Sequence, residues 1–141
     1  MAAGQLADPA GFVDIMATYR IGGRAPAVVV SAALILGELL GGVGLLAGGP
    51  TRRRPAAVVA LAVALVWSAL GAQAFIRQLP LDNCGCFGVY LGQPLRWWVL
   101  VQDVEFVALA LWVRKKAGLT AGRRSKREPV VRLRRAGGRG R

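Results

Sequence analysis

The chain has 141 residues, 55% of them hydrophobic, and a mean hydropathy of +0.46; soluble domains run at roughly 45–50% apolar, so the composition points to one membrane-embedded domain. The net charge of +12 would suit a nucleic-acid binder, but the basic residues are segregated into segment ends and a C-terminal tail. That pattern excludes nucleic-acid readout and favours contact with anionic lipid. The chain has no histidine, which closes imidazole catalysis and imidazole metal sites.

Along the chain, Asp8-Pro9-Ala10-Gly11-Phe12 comes first. Asp8 suits a helix N-cap and Pro9 the first helical turn. Phe12, Ile15, Met16 and Tyr19 recur at helical spacing, which predicts a short amphipathic helix on the outer membrane surface, or packed on the bundle. Three apolar runs follow, at about 26–46, 56–76 and 95–113, each close to the roughly 20 residues that cross a bilayer. The first holds one charge, Glu38, and the second holds none. The third carries Arg96, Gln102, Asp103 and Glu105, with Trp97, Trp98 and Trp112 near its ends, where aromatics suit the membrane interfaces. From Arg114 the chain turns basic and rich in glycine, a composition that predicts a disordered tail over 114–141. The expected fold is therefore an all-α membrane protein: a three-span helix bundle over 1–113, an N-terminal amphipathic helix and a basic tail.

With three crossings, the N-terminus and the 77–96 loop share one side, with four basic residues, Arg20, Arg24, Arg77 and Arg96. Arg52, Arg53, Arg54 and the tail share the other, with fifteen. The positive-inside rule places the arginine cluster and tail in the cytoplasm. The 77–96 loop then faces outward, into a compartment where disulfides persist.

That loop carries the only two cysteines, in Asn83-Cys84-Gly85-Cys86-Phe87-Gly88. Cysteines two apart, with a flexible glycine between them, can bring their Cα atoms within the roughly 4.4–6.8 Å that a disulfide spans. A small strained ring of that kind is easily reduced, which marks labile or catalytic disulfides. Thiol–disulfide exchange needs one thiolate to attack and a second thiol to resolve the mixed disulfide, and Cys84 and Cys86 supply that pair. Asp82 would disfavour a nearby thiolate and Arg77 would favour one. Three other readings stay open: a permanent loop staple, a metal site shared by two chains, and two unrelated small apolar residues. The intramembrane acid Glu38 reads either as a proton relay or as a neutral acid hydrogen-bonded across helices. Gly37 and Gly41 around it would let a second helix approach closely. No cofactor motif is present, and a quinone acceptor stays open.

The motif Cys84-Gly85-Cys86-Phe87-Gly88 between two apolar helices resembles the MauE family, within the wider DoxX-like group of small bacterial membrane proteins. The segment Leu6–Phe12 followed by Tyr19, the segment Glu38–Leu46, and Trp97–Leu111 are also similar to that family. The resemblance implies a four-helix membrane bundle in the bacterial plasma membrane. It also implies methylamine metabolism, with a role in maturing the disulfide-rich small subunit of methylamine dehydrogenase or another secreted, disulfide-containing client. A periplasmic thioredoxin-like partner is implied as well. Cys84 and Cys86 carry over as the redox pair and Glu38 as the intramembrane acid. Two departures stand out. The family's helix before the Asp-Pro segment is expected to be missing, and its lysine there is replaced by Gln5. Two further function classes are a non-catalytic assembly factor with a structural Cys84–Cys86 disulfide, and a small transporter using Glu38.

Overall fold

A computed structural model describes the backbone of residues 1–137 and the side chains of residues 1–117 other than Pro50. Five helices follow in order: α1 (Ala2–Ala7), α2 (Pro9–Thr18), α3 (Arg24–Leu46), α4 (Pro50–Ile76) and α5 (Trp97–Gly137). The described residues contain no strand.

The Asp8 carboxylate accepts a hydrogen bond from the Gly11 N–H at 2.9 Å, with Pro9 in the first turn, so α2 starts where a cap and a fixed φ start it. It ends at Tyr19, and the chain reverses through Arg20, Gly22 and Gly23, all at positive φ. Antiparallel α3 and α4 then pack through small residues. A Cβ built at Gly41 would lie 3.3 Å from the Ala60 nitrogen, and one at Gly44 would lie 2.6 Å from the Ala56 Cβ. This stripe brings the two backbones close in the way small-residue membrane helices associate.

α3 and the Thr51–Ile76 part of α4 are long and apolar enough to cross a membrane. Only 22% and 28% of their most apolar stretches are buried within the protein. Val29, Leu36, Leu40, Val43, Leu65 and Ile76 face outward, as they would against lipid and not as in a soluble core. The third run behaves differently. α5 starts at Trp97, two residues later than predicted, and falls short of the same standard because Asp103, Glu105 and the basic residues from Arg114 dilute it.

Two boundaries also move. Arg52, Arg53 and Arg54 were expected in a loop, but α4 already begins at Pro50, and they occupy its exposed first turns. Proline at the first helical position loses no intrahelical bond there, which explains the early start. The backbone of α5 runs past Val113 to Gly137 without the break expected between span and disordered tail. Lys115, Lys116 and Ala117 are good helix formers and nothing there stops the helix. Arg114, Lys115 and Lys116 are exposed, and the tail side chains beyond Ala117 that were expected to meet anionic lipid lie outside those described.

The core gathers at the loop end of the bundle. Phe12, Met16 and Tyr19 of α2 meet Ala27 and Leu34 of α3, Trp67, Leu70 and Ala74 of α4, Val99 of α5, and Leu81, Cys84 and Cys86 of the 77–96 loop. The apolar stripe of α2 is thus spent on the protein interior. The packing on the bundle read from the sequence is observed, and it is compatible with a place at the membrane surface.

Candidate functional site

The 77–96 loop folds back on itself without forming a sheet. The Cys84 N–H donates to the Gln93 carbonyl at 2.7 Å, and the Leu95 N–H donates to the Leu81 carbonyl at 3.0 Å. Between these ties, the Gly88 N–H closes a turn onto the Gly85 carbonyl at 3.0 Å. Asn83 braces the turn from inside: its Oδ1 accepts from the Gly85 N–H at 2.8 Å, and its Nδ2 donates to the Gly88 carbonyl at 3.1 Å. Gly85 has φ +79, and a Cβ there would sit 3.0 Å from Ile15, 3.2 Å from Met16 and 3.2 Å from Phe12. The cysteine turn lies directly beneath α2, with no room for a side chain between its two cysteines.

Cys84 and Cys86 are both free thiols, with Sγ atoms 3.1 Å apart. That is about 1 Å beyond a disulfide bond. They are not the exposed pair that a surface loop suggests: Cys84 is 1% exposed and Cys86 6%. The turn hangs inward, and α1 and α2 close over it. Either thiol can donate to the other while both are protonated. Once one ionises, the remaining proton serves both sulfurs. That shared hydrogen bond brings Cys84 down to about 7, against the opposing effect of burial. Cys86 is pushed up, first by the same bond and then by burial. Cys84 is therefore the thiol of the pair that ionises first, with Cys86 as its hydrogen-bond donor.

The sequence pointed to Asp82 and Arg77 as the charges that tune the pair. Asp82 is exposed, and Arg77 spends its guanidinium on Gln73 Oε1 at 3.0 Å and the Arg20 carbonyl at 3.4 Å. The charges that bear on the thiols come from the helices. Asp103 disfavours ionisation of both, and Glu38 adds to this at Cys86. Asp103 is 6% exposed and packed against Gly71 of α4.

Glu38 lies about 21 Å along α3 from Arg24, yet a single residue connects it to the cysteine turn. Gln5 of α1 is fully buried; its Nε2 donates to Glu38 Oε1 at 3.0 Å and to the Cys86 carbonyl at 3.4 Å. The Trp67 indole N–H donates to the same Glu38 oxygen at 3.0 Å. Glu38 is thus the acceptor on which α1, α3, α4 and the turn converge. The Tyr19 hydroxyl donates to the Cys84 carbonyl at 2.7 Å, and Gln73 Nε2 donates to the Tyr19 carbonyl at 3.1 Å. Burial, with the nearby cysteine and Asp103 charges, holds the Tyr19 phenol well above its ordinary range, so it remains a donor. Sequence reading had Gln5 only as a missing lysine and Tyr19 only as part of an apolar stripe. Trp67 drew no notice, although an indole N–H within a charge-free span needs a partner.

The family model for methylamine utilisation protein MauE matches residues 1–115. The chain belongs to the MauE family. The match takes in α1 to α4, the cysteine turn and the apolar part of α5, so every residue of the Gln5–Glu38–Trp67 and Tyr19–Cys84–Cys86 groups falls inside it. No curated protein and no solved structure matches the chain. Family membership and the two apolar helices identify a membrane protein of the methylamine-utilisation accessory type.

Proposed function

We propose that this protein is a membrane thiol–disulfide maturation factor. Cys84 exchanges disulfides with an extracytoplasmic thioredoxin-like partner, and through it with a secreted, disulfide-containing client. Given the family, the disulfide-rich small subunit of methylamine dehydrogenase is the first client to test. The observation that carries the reading is the pair of free thiols 3.1 Å apart, one of them poised near 7. In the exchange, the Cys84 thiolate attacks a partner disulfide, a mixed disulfide forms and one partner thiolate leaves. Cys86 then attacks Cys84 Sγ, a Cys84–Cys86 disulfide forms and the second partner thiolate leaves. Run in reverse, the same steps oxidise the partner. Glu38, through Gln5, holds the turn in register, and α2 must lift for a protein partner to reach sulfurs this buried.

The test is trapping. A Cys86→Ser variant keeps the attacking thiol and loses the resolving one, so it should accumulate a mixed disulfide with the partner; Cys84→Ser should not. If neither variant captures a partner and both support client maturation, the redox reading is wrong. The burial of the pair favours one competitor, a non-catalytic assembly factor with a structural Cys84–Cys86 staple. Thiol labelling in intact cells separates the two: a staple stays oxidised until the protein is denatured, whereas a redox pair shows a reducible population.

A further inference from the structure

A slot of about 430 Å³ lies between α3, α4 and α5 beside α1. Its walls are apolar, formed by residues such as Gly42, Ala60, Phe106 and Leu109. Two carboxyl side chains face it, Glu38 and Asp103. Glu38 Oε1 is taken by Gln5 and Trp67, and the Ala2 N–H and the N-terminal ammonium lie near the carboxylate, but Glu38 Oε2 is buried with no hydrogen bond that meets ordinary geometry among the described residues. Asp103, 6% exposed, likewise has no hydrogen-bond or ion-pair partner among them. Buried polar groups are normally paired, and an apolar pocket with a few converging polar groups is the usual form of a small-ligand site. Neither sulfur lines the slot, but its two acids are linked to the cysteine turn. Gln5 bridges its Glu38 wall to the Cys86 carbonyl, and the Asp103 charge reaches both cysteines.

The ligand chemistry follows from the lining. A carboxyl group donates a hydrogen bond when protonated and only accepts when ionised. Two such groups in an apolar slot suit a flat apolar ring whose paired oxygens switch between carbonyl and hydroxyl. We propose that the slot binds a lipid-soluble quinone, which takes the electrons released when the Cys84–Cys86 dithiol closes to a disulfide. In that step two S–H bonds break and one S–S bond forms. Two electrons and two protons pass to the quinone, whose two carbonyl oxygens become the hydroxyls of a quinol. Glu38 and Asp103 hold the quinone oxygens and relay the protons. This rests on the redox reading above and names its acceptor.

The experiment uses the full chain in lipid nanodiscs, pre-reduced and anaerobic, with a short-chain ubiquinone analogue as oxidant. Wild type should form one quinol for every two thiols lost. Gly42→Phe should fill the slot, because a Cβ at Gly42 meets nothing within 4 Å. Leu109→Trp, at an exposed lining position, is the second blocking variant. Both should slow quinol formation at least tenfold while leaving reaction of the thiols with a small aromatic disulfide unchanged; Asp103→Asn should slow quinol formation while speeding the disulfide reaction, because it removes a charge that disfavours both thiolates. If both blocking variants reduce the quinone at the wild-type rate, the slot is not the site. If wild type exchanges with disulfides but never reduces the quinone, this proposal fails and the redox reading stands. If wild type reacts with neither oxidant, both fail.

Discussion

Cys84 and Cys86 are chemically equal in the sequence and unequal in the fold. The shared proton makes Cys84 the acid of the pair, so its thiolate should grow in as pH rises through about 7. Below that midpoint the alkylation rate should fall about tenfold per pH unit, and above it the rate should level off. Removing the donor with Cys86→Ala should move the midpoint upward, to the ordinary thiol range of roughly 8.5 or above it, because the largest lowering influence is gone while burial and Asp103 still act against backbone hydrogen bonds alone. Alkylation of the single remaining thiol by a small permeant reagent across pH 5 to 10 reads this directly; an unmoved midpoint would mean that the neighbouring thiol does not set the nucleophile. The cysteines and Glu38 were visible in the sequence as unusual residue types in unusual places. Gln5 was not, because a lone amide in a short run of small and apolar residues has no signature until the fold buries it between two acceptors.

Among the elements, α2 lies over the thiols. Its start was legible from Asp8 and Pro9 and its inward face from Phe12, Met16 and Tyr19. What that face covers was not, because a helical stripe does not say whether lipid or protein lies against it. The 77–96 loop was legible only as a connection. Its inward fold depends on Asn83, on the ties to Gln93 and Leu81, and on a glycine that admits α2 at van der Waals distance. Gly85→Ala should therefore act through two effects together: a side chain forced to φ +79, and a methyl pressed on Phe12, Met16 and Ile15. Overpacking of this kind typically costs about 1–3 kcal/mol. The variant should melt earlier in detergent, and its thiols should label faster than wild type as α2 is displaced. Unchanged labelling with a lowered melting point would separate stability from access, and would show that α2 does not gate the pair.

For the whole molecule, the distribution of charge carries the topology, and α5 is the element on which it turns. α3 and α4 each have the length and apolarity to cross, which returns the cysteine loop to the side of the N-terminus. If α5 crosses as well, the twelve basic residues from Arg114 onward join Arg52–Arg54 on the inner side, in the sense the positive-inside rule favours. If it does not, that charge stays outside, against the rule. Asp103 decides the physics: within a crossing helix a carboxyl needs a protein-lined refuge, and it has one between Gly71 and the slot. The buried cysteines cannot report sidedness to an aqueous reagent, but Tyr90, 73% exposed in the same loop, can. In a background with Cys84→Ser and Cys86→Ser, Tyr90→Cys should react with a membrane-impermeant maleimide in intact cells. Arg53→Cys and Lys115→Cys should react only after permeabilisation. If Lys115→Cys labels from outside along with Tyr90→Cys, α5 lies along the surface and the bundle has two spans. If Tyr90→Cys is silent until the membrane is opened, the cysteine loop faces the reducing side, and a partner in the oxidising compartment could not reach it.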